Sequence, residues 1–464
     1  MRPEGSLFPT AGRSPLPAWL LATGYVCGWA GLSVVVLLRQ SGVPATKTVW
    51  AEDGRIFYSQ ATMSSFWHTL VTLHNGYVQL FPRLSVQLAL LVPPADVAAT
   101  LAITGAISLA GLACLVFHMA KGHIATPAVR TLLPVAMVLL PVANTELLNN
   151  LVNVPWWLFF AAFWALLWRP RSMAGLAGSA AVCFLAAASE PLVALFLPLA
   201  VARAVSVRSV AEQAPGAGLL LGLVYQALVI VPSGAKALSS PGGLQGIGQS
   251  FAIRAGLGLV GGVKGTNWLF LHDKDASVAL GALVVCLIVV IGALTRAPRV
   301  RTFALVAAGY SVACFVVPVW LRDVAEVVKV GQVQIAGRYQ AVPLLLLASA
   351  VLVLADHFGR EGAAPAFAWI TTEKTTPRVI VTSWRGLAAV VLCLALFAPT
   401  WVTDFRQPNQ RSAGPIWSTQ VAKGVAQCRG RDHNGGTVAV PISPPHWTAK
   451  LECSVLTSSS VFAH

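Results

Sequence analysis

Eleven apolar runs separated by short polar stretches constrain this chain more than any other feature. They fall at about 17–38, 97–119, 131–143, 155–168, 173–188, 191–205, 216–233, 277–295, 302–320, 340–356 and 386–401. The first, Pro17 to Leu38, spans about 22 residues without a charge. A helix rises about 1.5 Å per residue, so roughly 20 residues cover the hydrocarbon of a bilayer. Backbone polar groups find no water there, and helix is the form in which one segment satisfies its own. Only 11% of the chain is charged, against about 25% in soluble domains. The chain reads as an all-α integral membrane protein with about 11 transmembrane helices. Several runs are shorter than the norm, and the pairs 131–143/155–168 and 173–188/191–205 read as helices joined by polar hairpin tips. The first run is too long for a signal-peptide core. Met1 to Pro15, with Arg2 and Arg13, reads as a short cytoplasmic leader.

Charge sets the expected orientation. With the N-terminus cytoplasmic, the inside loops hold Lys121, Arg130, Arg169, Arg171, Arg203, Arg208, Arg296, Arg299 and Arg301 against one acid, Glu212. The last inside loop, about 357–385, adds Arg360, Lys374, Arg378 and Arg385. That is the positive-inside pattern. It also explains the net charge of +15 without a nucleic-acid partner, because these cations sit at lipid headgroups. The outside segments collect Glu52, Asp53, Glu146, Glu190, Asp273, Asp275, Asp323 and Glu326. Four of them are long: 39–96, 234–276, 321–339 and the tail. In the first, Val78 to Leu91 suits the membrane interface. In the second, Gly256 to Phe270 suits a re-entrant or interfacial helix. An odd number of spans puts the tail outside. The expected division is a polytopic membrane domain, 1–401, and a small extracytoplasmic tail, 402–464.

Six of the eight cysteines lie in apolar runs, where they pack as small hydrophobes. Cys428 and Cys453 lie in the polar tail. They read as one disulfide in an oxidising compartment, with two free thiols as the competing reading. In the tail, Val438 to Ile442 alternates as a strand does, and Pro444-Pro445 stops it. Trp447 either fills a small core or stacks on a sugar ring.

Asp and Glu make only 17 of 464 residues, yet two stand together in Trp50-Ala51-Glu52-Asp53-Gly54, just after the first run. A carboxylate beside a bilayer can deprotonate a hydroxyl that is otherwise a poor nucleophile. Neighbouring residues point in different directions, so one acid would act and the other would fix the loop or hold a cation. The bland reading is a solvated loop capping the bundle. The same loop carries His74-Asn75-Gly76-Tyr77 and Pro82-Arg83-Leu84, where Arg83 could fork onto a phosphate and His74 could equally be a surface histidine. A second cluster, Glu146, Asn149, Asn150 and Asn153, recurs at three- and four-residue steps. On a helix these would share one face. The alternative is a self-satisfied hairpin tip, with Trp156 and Trp157 as interfacial aromatics. Glu190, in Ser189-Glu190-Pro191, either lines the same outer cavity or turns the chain. Arg338-Tyr339 opens the tenth run, where Arg338 either neutralises a lipid phosphate or snorkels. Walker A, GxSxG, HExxH and Rossmann patterns are absent from the sequence.

Taken together, the acidic pair after the first span, Gly76-Tyr77, Pro82-Arg83-Leu84, the Glu146/Asn149/Asn153/Trp156 hairpin, Arg338-Tyr339 and the two-cysteine tail resemble the GT-C superfamily of polytopic membrane glycosyltransferases. They are similar to a group of actinobacterial membrane proteins of that topology. The resemblance implies a polyprenyl-phosphate-linked sugar donor and a glycan, lipid or protein acceptor whose hydroxyl is deprotonated by the loop carboxylate and attacks with inversion. It implies Asp53 first and Glu52 second as the base, and Arg338 or Arg83 on the donor phosphate. Around them His74, Tyr77, Glu146, Asn149, Asn153, Glu190 and Tyr339 would bind substrate. A divalent cation fits the family's chemistry, although the acidic pair alone is no metal site. The tail is shorter than the outer domain many members carry. Two other classes remain open. A transporter or lipid flippase would place acids and broken helices near the midplane, and a non-catalytic scaffold would tolerate loss of both loop carboxylates.

Overall fold

The computed structural model describes residues 7–10, 17–234, 246–321, 336–360, 384–429 and 436–457. Arg2, Arg13, Arg322, Asp323, Glu326, Lys329, Lys374 and Arg378 lie outside the described residues.

Every apolar run is helical. The helices are α1 (Ala18–Leu38), α2 (Val97–Met119), α3 (Pro127–Leu139), α4 (Val154–Leu167), α5 (Met173–Ser189), α6 (Leu197–Ser206) and α7 (Ala214–Ser233). After a broken helical segment that includes α8 (Gly258–His272) come α9 (Lys274–Leu294), α10 (Pro298–Leu321), α11 (Arg338–Arg360) and α12 (Trp384–Thr403). Eight of these, with their flanking turns, are long and apolar enough to cross a membrane: α1, α2, α3, α7, α9, α10, α11 and α12. The expected eleven therefore includes three helices, α4, α5 and α6, that fall short by length.

Burial explains why α4 can be short. All 14 residues of α4 are buried. Its sequence is apolar all round, which suits the centre of a bundle rather than its surface. Phe159 and Phe163 lie 4.9 and 5.7 Å from Phe196, and Trp164 lies 5.3 Å from Phe303. All three are tilted contacts, at the centroid separations that aromatic pairs favour. At the other extreme, α1 is mostly exposed, and Trp19, Val26 and Trp29 face outward.

Polar side chains tie the helix ends into two layers. In the first, Arg39 follows α1 and donates to the carbonyls of Val138 (2.5 Å) and Leu140 (3.0 Å) at the end of α3 and of Phe405 (3.2 Å) after α12. The start of α4, the end of α5, the second half of α7 and the start of α11 join this layer through Asp53, Ser189, Gln226 and Glu146. In the second, Arg203 near the end of α6 donates to the carbonyls of Leu166 and Trp168 after α4 and of Glu212 before α7. There too Asp356, near the end of α11, accepts from the N–H groups of Ala125 and Thr126 before α3. So α4, α5 and α6 run between the same two layers as the longer helices. The loops and helix starts of the second layer carry Lys121, Arg130, Arg169, Arg171, Arg208, Arg296, Arg299 and Arg301.

The glycine-rich stretch before α9 is helical but broken. The π-helical turn Ala252–Leu257 packs backbone to backbone on α9, where a Cβ on Gly256 would stand 2.1 Å from the carbonyl oxygen of Gly281. Further on, Gly262 has φ +59 and splits α8. The carboxylate of Asp404 accepts from the N–H of Val263 (2.7 Å) and caps the second half.

The tail forms α13 (Trp417–Arg429) and a hairpin of β1 (Thr437–Ile442) and β2 (Trp447–Glu452), antiparallel with Val440 opposite Ala449. Cys428 and Cys453 are disulfide-bonded. Val438, Val440 and Ile442 face inward, as the alternation predicts. Their core is shared with Val49, Phe57, Tyr58 and Leu90 of the first loop. The N–H of Ser443 donates to Val49 (3.0 Å), and the Trp417 indole donates to the carbonyl of Pro94 (2.6 Å). Loop and tail thus form one layer over the bundle, and residue 402 marks no break in packing.

Candidate functional site

The acidic pair is fixed by what surrounds it. Gly54 is closely packed: a Cβ there would stand 2.7 Å from a methyl of Val49 and 2.9 Å from one of Ile442, so a larger residue would make those side chains shift. The chain then enters a π-helical turn, Asp53–Tyr58. Consecutive helical residues diverge, and the two acids part accordingly. Asp53 points inward and is 1% exposed; its oxygens accept from the N–H groups of Leu151 (2.8 Å) and Val152 (2.9 Å). Burial pushes its carboxyl up to about 7, against the pull of those two donors and of Arg411. Arg411 is itself buried and donates to Thr48, to the carbonyl of Ala45 and to that of Asn149. Asp53, the first choice for a base on sequence, is therefore a clamp that holds the entrance to α4.

Glu52 points the other way, into an open pocket that is also lined by His74, Tyr77, Asn153, Glu190 and Arg338. Among the described residues only its own N–H reaches the Glu52 carboxylate. Burial raises its pKa, opposed by nearby Arg338 and reinforced by Glu146.

His74 and Tyr77 flank a tight turn. Asn75 and Gly76 both have positive φ, +53 and +82, the condition for a type I′ hairpin turn and the reason Asn-Gly suits it. His74 and Tyr77 exchange backbone hydrogen bonds of 2.9 and 3.3 Å. Burial, with Arg83 and Arg338 nearby, pulls His74 down to about 4, so it is neutral at pH 7. The Tyr77 hydroxyl donates to Glu190 (3.4 Å) and accepts from Gln79 (3.1 Å). Glu190 is buried at the end of α5 and also accepts from the N–H of Leu192. Arg83 lies behind this wall, not on it. It is buried against Phe57, 5.5 Å from the ring, and donates to Gln60 (3.0 Å); Phe57 in turn meets His74 edge-on at 6.0 Å.

Residues 145–153 form turns rather than the helix face that their spacing suggested. Asn149 sits at φ +59 and turns away to the carbonyl of Val36 (3.1 Å). Asn150 and Asn153 both donate to the carbonyl of Glu146, and only Asn153 reaches the pocket. Four asparagines in ten residues, 144–153, signal a turn, because their side chains satisfy nearby backbone groups that a helix would otherwise pair. Glu146 stands behind Arg338. One oxygen accepts its N–H (3.0 Å) and the other lies 3.6 Å from its guanidinium. Tyr339 is buried under Trp156, with the rings 5.4 Å apart.

The structure thus brings Glu52, His74, Tyr77, Asn153, Glu190 and Arg338 to one pocket. Asp53, Arg83, Glu146, Asn149 and Tyr339 stand behind its walls. Asn75, Gln79, Ser189 and Trp156 line it without having been singled out as ligands. Tyr77 and Gln79 are two apart on an extended stretch and so share a face, a signal the sequence did contain. Trp156 is buried rather than an interfacial aromatic. Trp447 is half-buried beneath Arg55, 5.1 Å from its guanidinium. Among the described residues no three His, Cys, Asp or Glu side chains gather as a metal site requires. No protein-family model matches the chain, and comparison with curated proteins and with solved structures finds none similar to it.

Proposed function

We propose that this chain is a membrane glycosyltransferase of the GT-C kind, taking a sugar from a polyprenyl-phosphate donor at the pocket. The observation that carries the reading is a carboxylate, Glu52, left without a partner side chain among the described residues and set in an open, mostly polar pocket with a guanidinium, Arg338. Hydroxyls and amides of Tyr77, Gln79, Asn153 and Ser189 offer the many hydrogen bonds a sugar needs, and Trp156 offers an aromatic face. In this reading Glu52 takes the proton of an acceptor hydroxyl. The oxygen attacks the anomeric carbon from the side opposite the phosphate, and the carbon–oxygen bond to phosphate breaks with its electron pair leaving on the phosphate. One displacement inverts the centre. Arg338, held by Glu146, steadies the departing phosphate.

The topology belongs to the same proposal. The eleven helices of the apolar runs all cross, the basic layer is cytoplasmic, and the pocket is extracytoplasmic with the tail. Support comes from the short helices joining the same two layers as the long ones, and from a second layer whose many cations meet, among the described residues, two acids, Glu212 and Asp356. Phe8, close to the N-terminus, is buried against Arg203 in that layer.

A transporter is the second reading, favoured by the break at Gly262. Yet Asp404, which caps the break, follows the end of α12 in the pocket-side layer rather than a midplane site. Protein reconstituted in liposomes with a radiolabelled polyprenyl-phosphate sugar separates the two. The transferase reading expects donor consumption and a new glycoside. Movement of label across the bilayer with the donor intact would establish the transporter instead.

A further inference from the structure

The basic layer contains a second site that the pocket chemistry does not use. We propose that Lys121, Arg130 and Arg171 bind the phosphate of an anionic phospholipid whose chains lie along α1 and α2.

The argument begins with charge. Three cations of this layer, Arg169, Arg203 and Arg360, have partners. Arg169 meets Glu212 at 2.5 Å, Arg203 donates to three carbonyls, and Arg360 meets Asp356 at 3.0 Å. Among the described residues, Lys121 and Arg171 make no hydrogen bond or ion pair, and the charged neighbours of Lys121 are Arg130 and Arg171. Three cations in one locality repel one another unless an anion joins them. Asp356 attracts Arg130, but its carboxylate already accepts from two backbone N–H groups and from Arg360.

Arg130 supplies the second observation. It is 7% exposed, with its guanidinium 4.5 Å over the Phe117 ring and one nitrogen donating to the carbonyl of Ile124 (3.1 Å). Its Nε is buried without an acceptor. A buried charged donor without an acceptor is costly, and a phosphate oxygen would remove that cost.

The walls fit a lipid rather than free phosphate. The Tyr25 hydroxyl is 2.8 Å from Nδ1 of His118, and the His118 ring meets Trp168 edge-on at 5.2 Å. Tyrosine and tryptophan at this depth favour the boundary between headgroup and chain. From there α1 exposes Val26 and Trp29, and α2 exposes Leu115, an apolar surface with no protein over it among the described residues. Basic clusters beside helices at the cytoplasmic side, where the proposed topology puts this layer, are where anionic lipids dock.

The test measures retained lipid in purified full-length protein by mass spectrometry, and the shift in melting temperature on adding phosphatidylglycerol, phosphatidylcholine or inorganic phosphate. The site predicts co-purified anionic lipid and stabilisation by phosphatidylglycerol alone. Lys121→Gln with Arg171→Gln should weaken that retention about thirtyfold, at roughly 1 kcal/mol per cation near a membrane surface. The melting temperature without lipid should stay unchanged. Arg296→Gln with Arg301→Gln, elsewhere in the layer, should retain lipid like the parent. If Arg130→Gln fails to fold, the surface pair still decides. Equal stabilisation by both lipids, equal losses in the two double variants, or stabilisation by inorganic phosphate alone would each overturn the proposal.

Discussion

Two polar regions meet at the Glu52–Asp53 peptide and differ in one respect. Behind the pocket, Asp53, Arg411, Arg39 and Asp404 are buried and occupied by backbone groups, so their hydrogen bonds hold chain segments together. On the pocket wall, Glu52 keeps its carboxylate open and Arg338 is held by one acid from behind. The difference teaches that a buried charge satisfied by backbone is architecture, whereas a charge held in place but open to a cavity is available for chemistry. Sequence distance is no guide, since the two roles fall on adjacent residues.

The comparison breaks most readily at the clamp. Asp53→Ala would orphan the buried N–H of Leu151 and the half-buried N–H of Val152 and leave Arg411 without its counter-charge. The expected cost is about 3–5 kcal/mol, read as lost folded protein or a lower denaturation midpoint. A variant that stays fully stable would show that the clamp does not hold α4. Next is the staple of the outer layer. Replacing Cys428 and Cys453 by serine should cost about 3 kcal/mol for a loop of this length, with proteolysis of the tail as the readout. Intact, protease-resistant tail would mean that the shared core with Val49 and Phe57 suffices. Gly262→Ala should cost about 1–3 kcal/mol, because the residue has φ +59 and a Cβ would stand 2.2 Å from a carboxylate oxygen of Asp404. A melting temperature equal to the parent's would remove the claim that the break needs glycine.

The smallest effect concerns His74. Its pKa is about 4 in the fold against 6.5 without it, so the folded state stays neutral where the unfolded state takes up a proton. Stability linked to His74 is complete above pH 6.5 and falls as pH drops toward 4. Melting temperatures of the parent and His74→Gln should converge across that window. Parallel curves would contradict the burial assigned to it.

Much of this architecture was legible in the chain. Membrane-length apolar runs need no tertiary information to be read as helices, and alternation marked Val438 to Ile442 as a strand. What local pattern could not supply was which carboxylate faces the cavity. Glu52 and Asp53 are equivalent in sequence, and only the approach of Leu151 and Val152, about a hundred residues away, turns one inward. The Asn149 spacing misled for a related reason. A three- and four-residue recurrence marks a helix face only where backbone groups are not captured by side chains, and here Glu146's carbonyl is held by two asparagines. Arg83 carried the chemistry of a phosphate ligand but lies packed on Phe57, a contact set by folding of the whole loop.

The central claim is that the open carboxylate acts and the clamped one supports. It is tested most directly by assaying Glu52→Gln and Asp53→Asn side by side, at matched amounts of folded protein, for transfer from radiolabelled polyprenyl-phosphate sugars. The account predicts that Glu52→Gln melts like the parent but loses about 10²–10⁴-fold in turnover. It also predicts that Asp53→Asn melts lower yet keeps its turnover per folded molecule. Parental turnover in Glu52→Gln, with a folded but inactive Asp53→Asn, would contradict it.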